Sequence, residues 1–189
     1  SNVLNDGNTL TTTKDAKING LTVGMGNGNV FANTAIGHTA LSKCQSAGQQ
    51  NTAIGRSAMM NNTTGRENTA TGKESLNNNL TGKHNTAFGY HSLFKNISAN
   101  NNSAVGYAAL KSNTTGSNNT AIGYNADVQS SFLTNATAIG SEAKVNANNT
   151  IQLGNTAVVK VVTSGAIEAG GTVKAGAVTY PSTDGTTNQ

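Results

Sequence analysis

The chain repeats itself about every 17 residues, and a unit that short excludes most folds. Asn33-Thr34-Ala35-Ile36-Gly37 recurs as Asn51-Thr52-Ala53-Ile54-Gly55 and Asn68-Thr69-Ala70-Thr71-Gly72. It returns as Asn85-Thr86-Ala87-Phe88-Gly89, Asn102-Ser103-Ala104-Val105-Gly106 and Asn119-Thr120-Ala121-Ile122-Gly123. Degenerate copies end at Gly140 and Gly154, so successive glycines are 18, 17, 17, 17, 17, 17 and 14 residues apart. An Ala/Ser-Leu/Met pair follows each of the first five glycines: Ala40-Leu41, Ala58-Met59, Ser75-Leu76, Ser92-Leu93 and Ala109-Leu110. In the next two copies the apolar residue slips one place, to Val128 and Val145. A loop glycine marks the same period at Gly48, Gly65, Gly82 and Gly116, with Ala99 in the missing place.

Such a unit is too short for a helical hairpin of ordinary length. It suits one lap of a narrow all-β coil, with two short strands and two Asn/Gly-rich turns per lap. Successive laps then pair as parallel strands about 4.8 Å apart, so eight laps make a section roughly 35 Å long. Residues 30–157 are assigned to this roll, residues 1–29 to a lead-in strand segment around Ile18–Gly24, and residues 158–189 to a β stalk leading to a further C-terminal region.

Alternation along a strand separates two faces. Thr34 and Ile36 share one; Asn33, Ala35 and Gly37 share the other. The expected core is the column Ile36, Ile54, Thr71, Phe88, Val105, Ile122, Ile139 and Leu153, with the column Leu41, Met59, Leu76, Leu93 and Leu110. The threonines then point inward, which argues against a row of hydroxyls matched to ice. The Ala/Gly face is expected to let another backbone approach closely, and the repeated asparagines to form an amide ladder. A core this thin, with open sheet edges, favours several rods packed around an axis.

Composition narrows the function. Charged residues make up 11% of the chain and the net charge is +4, with the basic residues scattered. No Lys/Arg cluster forms a nucleic-acid footprint, and no apolar run approaches membrane-spanning length. Cys44 is the sole cysteine, which excludes an intramolecular disulfide. The acids are Asp6, Asp15, Glu67, Glu74, Asp127, Glu142, Glu168 and Asp184. They show no paired-carboxylate arrangement for polysaccharide cleavage, and Glu67 and Glu74 lie on different loops of one lap. With His38, His84 and His91 they show no metal-ligand spacing. No catalytic residue, metal or cofactor is assigned, and the chain is expected not to be an enzyme.

One column stands out as a candidate site. The residue after each motif glycine is His38, Arg56, Lys73, Tyr90, Tyr107, Tyr124 and Ser141 in turn. Arg56, Lys73, Tyr90, Tyr107 and Tyr124 form a stripe of aromatics with a basic end that could bind a glycan through ring faces, or a polyanion. The alternative is a tyrosine ladder that stacks along a corner or seals a seam between subunits.

The string Asn-Thr-Ala-Ile-Gly-x-x-Ala/Ser-Leu resembles the head repeat of the YadA-like trimeric autotransporter adhesins. The likeness runs from Asn33 to about Gly154, some two-thirds of the chain. It implies a left-handed parallel β-roll, one per subunit of an elongated homotrimer. The 17-residue period is longer than the adhesin head leads one to expect, with the extra residues in the loops. The tail, including Ser164–Gly171 and Val178–Pro181, is similar to stalk segments of bacterial and phage fibres that precede an intramolecular chaperone. The expected role is therefore attachment: a distal segment of a trimeric fibre, extracellular on a bacterial surface or a phage tail, that meets a glycan or protein on a target cell without inserting into its membrane. The alternative is a structural spacer carrying a separate tip.

Overall fold

The computed structural model describes residues 4–5, 10–11, 16–18, 21–26, 32–158 and 162. Everything regular among them is β-structure or turn. Strands β1 (Leu4–Asn5) and β2 (Leu10–Thr11) pair antiparallel. Strands β3 (Ala16–Ile18) and β4 (Leu21–Gly24) also pair antiparallel, and β4 lies antiparallel against β5 (Thr34–Ile36). The lead-in segment thus covers the first edge of the repeat sheet, an edge that would otherwise offer unpaired backbone groups.

From β5 the sheet is parallel: β6 (Thr52–Ile54), β7 (Thr69–Thr71), β8 (Thr86–Phe88), β9 (Ser103–Val105) and β10 (Thr120–Ile122) follow in order. Strand β11 (Asp127–Val128) pairs with β13 (Lys144–Val145) in a separate small sheet, while β12 (Thr137–Ile139) and β14 (Ile151–Leu153) complete the large one. The register is strict, with Ala35 opposite Ala53, Ala53 opposite Ala70, and so on to Ala138 opposite Gln152. The result is a parallel β-solenoid of about 7 laps of ~17 residues. The stalk assigned to residues 158–189 lies, except for Val158 and Val162, outside the described residues.

Every side of a lap bonds to its neighbours. On the strand side Thr52 N–H donates to the Asn68 carbonyl at 2.9 Å. At the corner Ser57 N–H donates to His38 O at 2.8 Å, and in the loop Thr63 N–H donates to Leu80 O at 3.0 Å. In the first five laps the Ala/Ser-Leu corner is not the second strand that the repeat suggested. It is a tight turn whose φ is positive at two residues, as at Ser57 (57°) and Met59 (47°), and at His91 (56°) and Leu93 (50°). The one-place slip marks the last two corners. There Asp127 and Lys144 take the place four residues after the motif glycine, and with Val128 and Val145 they form the extended pair β11–β13.

Inside and outside are reversed on the strand. Ala35, Ala53, Ala70, Ala87, Ala104, Ala121 and Ala138 are fully buried, while Phe88, Val105 and Ile122 are 55%, 41% and 45% exposed. The threonines share the outer face with them. Volume decides this: the lap is so narrow that a strand side chain meets the Leu column across the interior, and only a methyl fits without overpacking. The Leu column is core as expected, with Leu41, Met59, Leu76, Leu93 and Leu110 all at 0% exposure. Leu93→Ala should therefore lose about 2–5 kcal/mol of unfolding free energy in a denaturant titration.

Polar groups fill the rest of the interior. In the asparagine ladder, the Asn51 side-chain carbonyl accepts from the Asn68 N–H and Nδ2, both at 3.1 Å, and Asn51 Nδ2 donates to Gly65 O at 2.9 Å. A second amide column runs through Asn62, Asn79, Asn96 and Asn113. Asn79 Nδ2 donates to Asn62 Oδ1 at 2.7 Å and to Gly82 O at 3.1 Å. Cys44 forms the first rung of that column, its thiol donating to Gly48 O at 3.0 Å, and burial pushes its pKa up. Among the described residues no buried side-chain nitrogen or oxygen lacks a partner. That is what a core built on amides requires.

Candidate functional site

The candidate column leaves the strand at the motif glycine, where φ swings to between 112° and 141° from Gly37 to Gly140. No other residue type enters that region comfortably. The swing turns the next side chain outward at the same place in each lap, and three tyrosines stack as a result. Tyr90 and Tyr107 have ring centroids 5.3 Å apart, and Tyr107 and Tyr124 are 5.2 Å apart with planes 19° from parallel. Tyr107 and Tyr124 are about half exposed, at 47% and 51%.

Lys73 extends the stripe, with Nζ 5.2 Å from the Tyr90 ring centre, within cation–π range. Arg56 sits one lap further on as an exposed cation and makes no ring contact. The structure therefore joins Lys73, Tyr90, Tyr107 and Tyr124 in one continuous surface and leaves Arg56 at its margin.

Two of the histidines have acidic partners. His91 Nε2 lies 2.7 Å from Glu74 Oε2, and the His91 ring stacks on Tyr90 at 3.8 Å. His84 Nδ1 lies 3.1 Å from Glu67 Oε2. Both pairs bridge the same two laps, and Glu67, His84, Glu74 and His91 all have φ near +56°. The signal was present in the sequence, since each Glu precedes its His by one period.

The His91 hydrogen bond holds the Glu74 carboxyl below its ordinary value of 4.5, with further attraction from His91, Lys73 and Arg56 against the opposing effect of burial. A depressed acid pKa stabilises the fold at pH above the unfolded value. That contribution is complete above about 4.5 and is lost as pH falls through the folded value. Glu74→Gln should flatten the acid limb of the stability–pH curve below pH ~4.5, measured as urea midpoints.

Comparison with protein-family models, with curated proteins and with solved structures finds no match to this chain.

Proposed function

We propose that this chain is an attachment segment of a homotrimeric fibre on a bacterial surface or phage tail. The observation that carries the reading is the outward apolar column. Ile54, Phe88, Val105, Ile122, Ile139 and Leu153 are each between 37% and 55% exposed on a single sheet face, with Thr71 interrupting the column between Ile54 and Phe88. An exposed apolar stripe that runs unbroken from Phe88 to Leu153 marks a contact surface. Identical laps also make it self-complementary in register, which suits further copies of the same chain. Three copies, and a left-handed roll, follow from the likeness of the repeat to YadA-like heads. The stacked tyrosines then lie free to meet a target, and avidity turns three weak contacts into firm attachment.

Light scattering on a gel-filtration column should give a mass near three times 19.1 kDa. Phe88→Glu should shift the mass to that of one chain while the far-ultraviolet β spectrum persists. A wild-type monomer would remove the trimer. Attachment itself is tested on a glycan array: binding that vanishes with Tyr107→Ala, the mass unchanged, favours an adhesive segment. Absence of binding anywhere along the roll favours a spacer.

The outward threonines revive a second reading, ice binding, because their hydroxyls now repeat on the surface about every 4.8 Å. Phe88 protrudes from the same face at 55% exposure and breaks the flatness an ice plane needs. A thermal-hysteresis measurement indistinguishable from buffer would dispose of it.

A further inference from the structure

The last laps carry a feature absent from the others. The corner becomes extended at β11 and β13, and the final lap shortens from 17 residues to 14 between Gly140 and Gly154. A short lap stacked on longer ones leaves a step. There lies an open groove of about 950 Å³, walled by Asn125, Asp127, Gln129, Glu142 and Lys144 on one part and Gln152 on another. That volume is within the range of small-ligand sites.

Elsewhere in the roll the buried amides are spent on the two ladders. The groove is different: its polar side chains Asn125, Gln129 and Glu142 are half-buried or exposed, and among the described residues they make no side-chain hydrogen bond within the protein. Asp127 is the exception, and it is fixed. Its carboxylate accepts from Ser112 N–H at 3.2 and 3.3 Å and from Val128 N–H at 2.9 Å, and Lys144 Nζ is 3.6 Å away. Lys95 and Lys111 also line the groove, so with Lys144 three cations face Asp127 and Glu142; charges of both signs share the wall and no single-sign field runs along it.

The groove also adjoins the aromatic stripe. Asn125 follows Tyr124 in the chain, and its N–H donates to Tyr107 O at 2.8 Å. Glu142 N–H donates to Tyr124 O at 2.7 Å. The same lap-to-lap bond recurs at earlier corners, as from Ala108 N–H to Tyr90 O; what places the platform beside the groove is that Ala108 and Asn125, the residues after Tyr107 and Tyr124, line it.

We propose that the groove and the Tyr107–Tyr124 platform together bind an uncharged oligosaccharide. This rests on the attachment reading and names its ligand class. A pyranose has an apolar C–H face and a rim of hydroxyls. The first packs on a tyrosine ring; the second needs donors and acceptors together, as amides and a carboxylate provide. A protein ligand is less well served, because the groove lacks the apolar anchor pocket around which protein hot spots form.

The test uses the whole chain with chitotriose, cellotriose, maltotriose and N-acetyllactosamine, and a heparin tetrasaccharide as the charged comparison. Binding is read by saturation transfer to the saccharide and by tyrosine fluorescence, which no Trp obscures in this chain. At least one neutral saccharide should bind, and Tyr124→Ala, Gln129→Ala and Glu142→Ala should each weaken it tenfold or more. Leu80→Ala, on the loop face, should leave binding within twofold, and equal melting curves will show that the variants fold. Preference for heparin overturns the ligand class. Saccharide binding indifferent to Gln129→Ala and Glu142→Ala overturns the groove and leaves the stripe as the site. Binding to intact cells with no saccharide bound overturns this proposal alone; loss of both overturns the attachment reading as well.

Discussion

Gly89→Ala is expected to cost on the order of 3 kcal/mol, whereas Gly82→Ala, seven residues earlier on the same lap, should cost about 1 kcal/mol or less. Both glycines are crowded. A Cβ on Gly89 would meet the Gly106 carbonyl oxygen at 2.3 Å, and one on Gly82 would meet Asn79 Oδ1 at 2.3 Å and Ala99 O at 2.5 Å. Space alone does not separate them; backbone conformation does. Gly89 has φ of +134°, a region closed to L side chains, and the atom it would strike is backbone of the next lap. That neighbour is itself a glycine in the same conformation, so relief at one lap transfers the clash to the next. Gly82 has no such φ, and its column already contains a natural experiment. Ala99 occupies the equivalent place one lap on, buried at 1% exposure, with its carbonyl still accepting from Asn85 Nδ2 at 2.8 Å. A methyl is therefore tolerated there. Urea unfolding of the two variants side by side is the measurement, and equal losses would refute the conformational account.

That contrast shows what could be read in the repeat and what could not. The period, the parallel stacking and the Leu column follow from spacing alone, because a residue type repeated every lap must stack on itself. The first amide ladder follows for the same reason. Alternation also separated Thr34 and Ile36 from Asn33 and Ala35 correctly. It could not say which pair faces inward. The usual preference for placing the larger apolar residue inside chose Ile36, and the narrow lap admits only Ala35. The amide column through Asn62, Asn79, Asn96 and Asn113 was visible at the same period, three residues before each loop glycine or Ala99, but it lay in segments that composition marks as solvated loop. The corner was misread as a strand because positive φ at Leu41 or Leu93 leaves no trace in residue type. Only the later slip to Val128 and Val145 hinted that two backbone geometries were in use. As for the candidate site, the tyrosine column was legible from spacing, but the groove was not. It depends on a lap shortened by three residues, and a change in length reveals its shape only once the laps are stacked.

Asn85→Asp should lose about 3–5 kcal/mol at neutral pH, the cost of a buried charge without a partner. Asn85 Nδ2 donates to Ala99 O at 2.8 Å and to Asn68 Oδ1 at 3.1 Å, while Asn85 Oδ1 accepts from the Asn102 N–H and Nδ2 at 3.0 and 3.1 Å. An aspartate keeps the two accepted bonds and loses both donated ones, leaving carboxylate oxygen against two carbonyl oxygens in a fully buried position. Protonation returns a donor. The folded-state pKa of the new carboxyl therefore rises above its unfolded value of about 3.9. The unfolded chain gives up its proton first, so stability declines as pH climbs from that value to the folded pKa, then stays flat. Acidifying the variant from pH 7 towards 4 should thus recover part of the loss, opposite in sign to the Glu74 effect, which weakens the fold only below about 4.5. Asn118→Asp is the control. It is an exposed residue at φ of 61°, a conformation that Asp also accepts, and it should change stability by no more than about 0.5 kcal/mol at any pH. If Asn85→Asp were as mild as Asn118→Asp, or its loss independent of pH, the ladder would be a by-product of composition. A pH-dependent loss confined to the buried position would make the amide column a structural core in its own right. The chain would then hold its laps together with hydrogen bonds where a wider solenoid uses aliphatic side chains, and its aliphatic residues would be left free for the outer face.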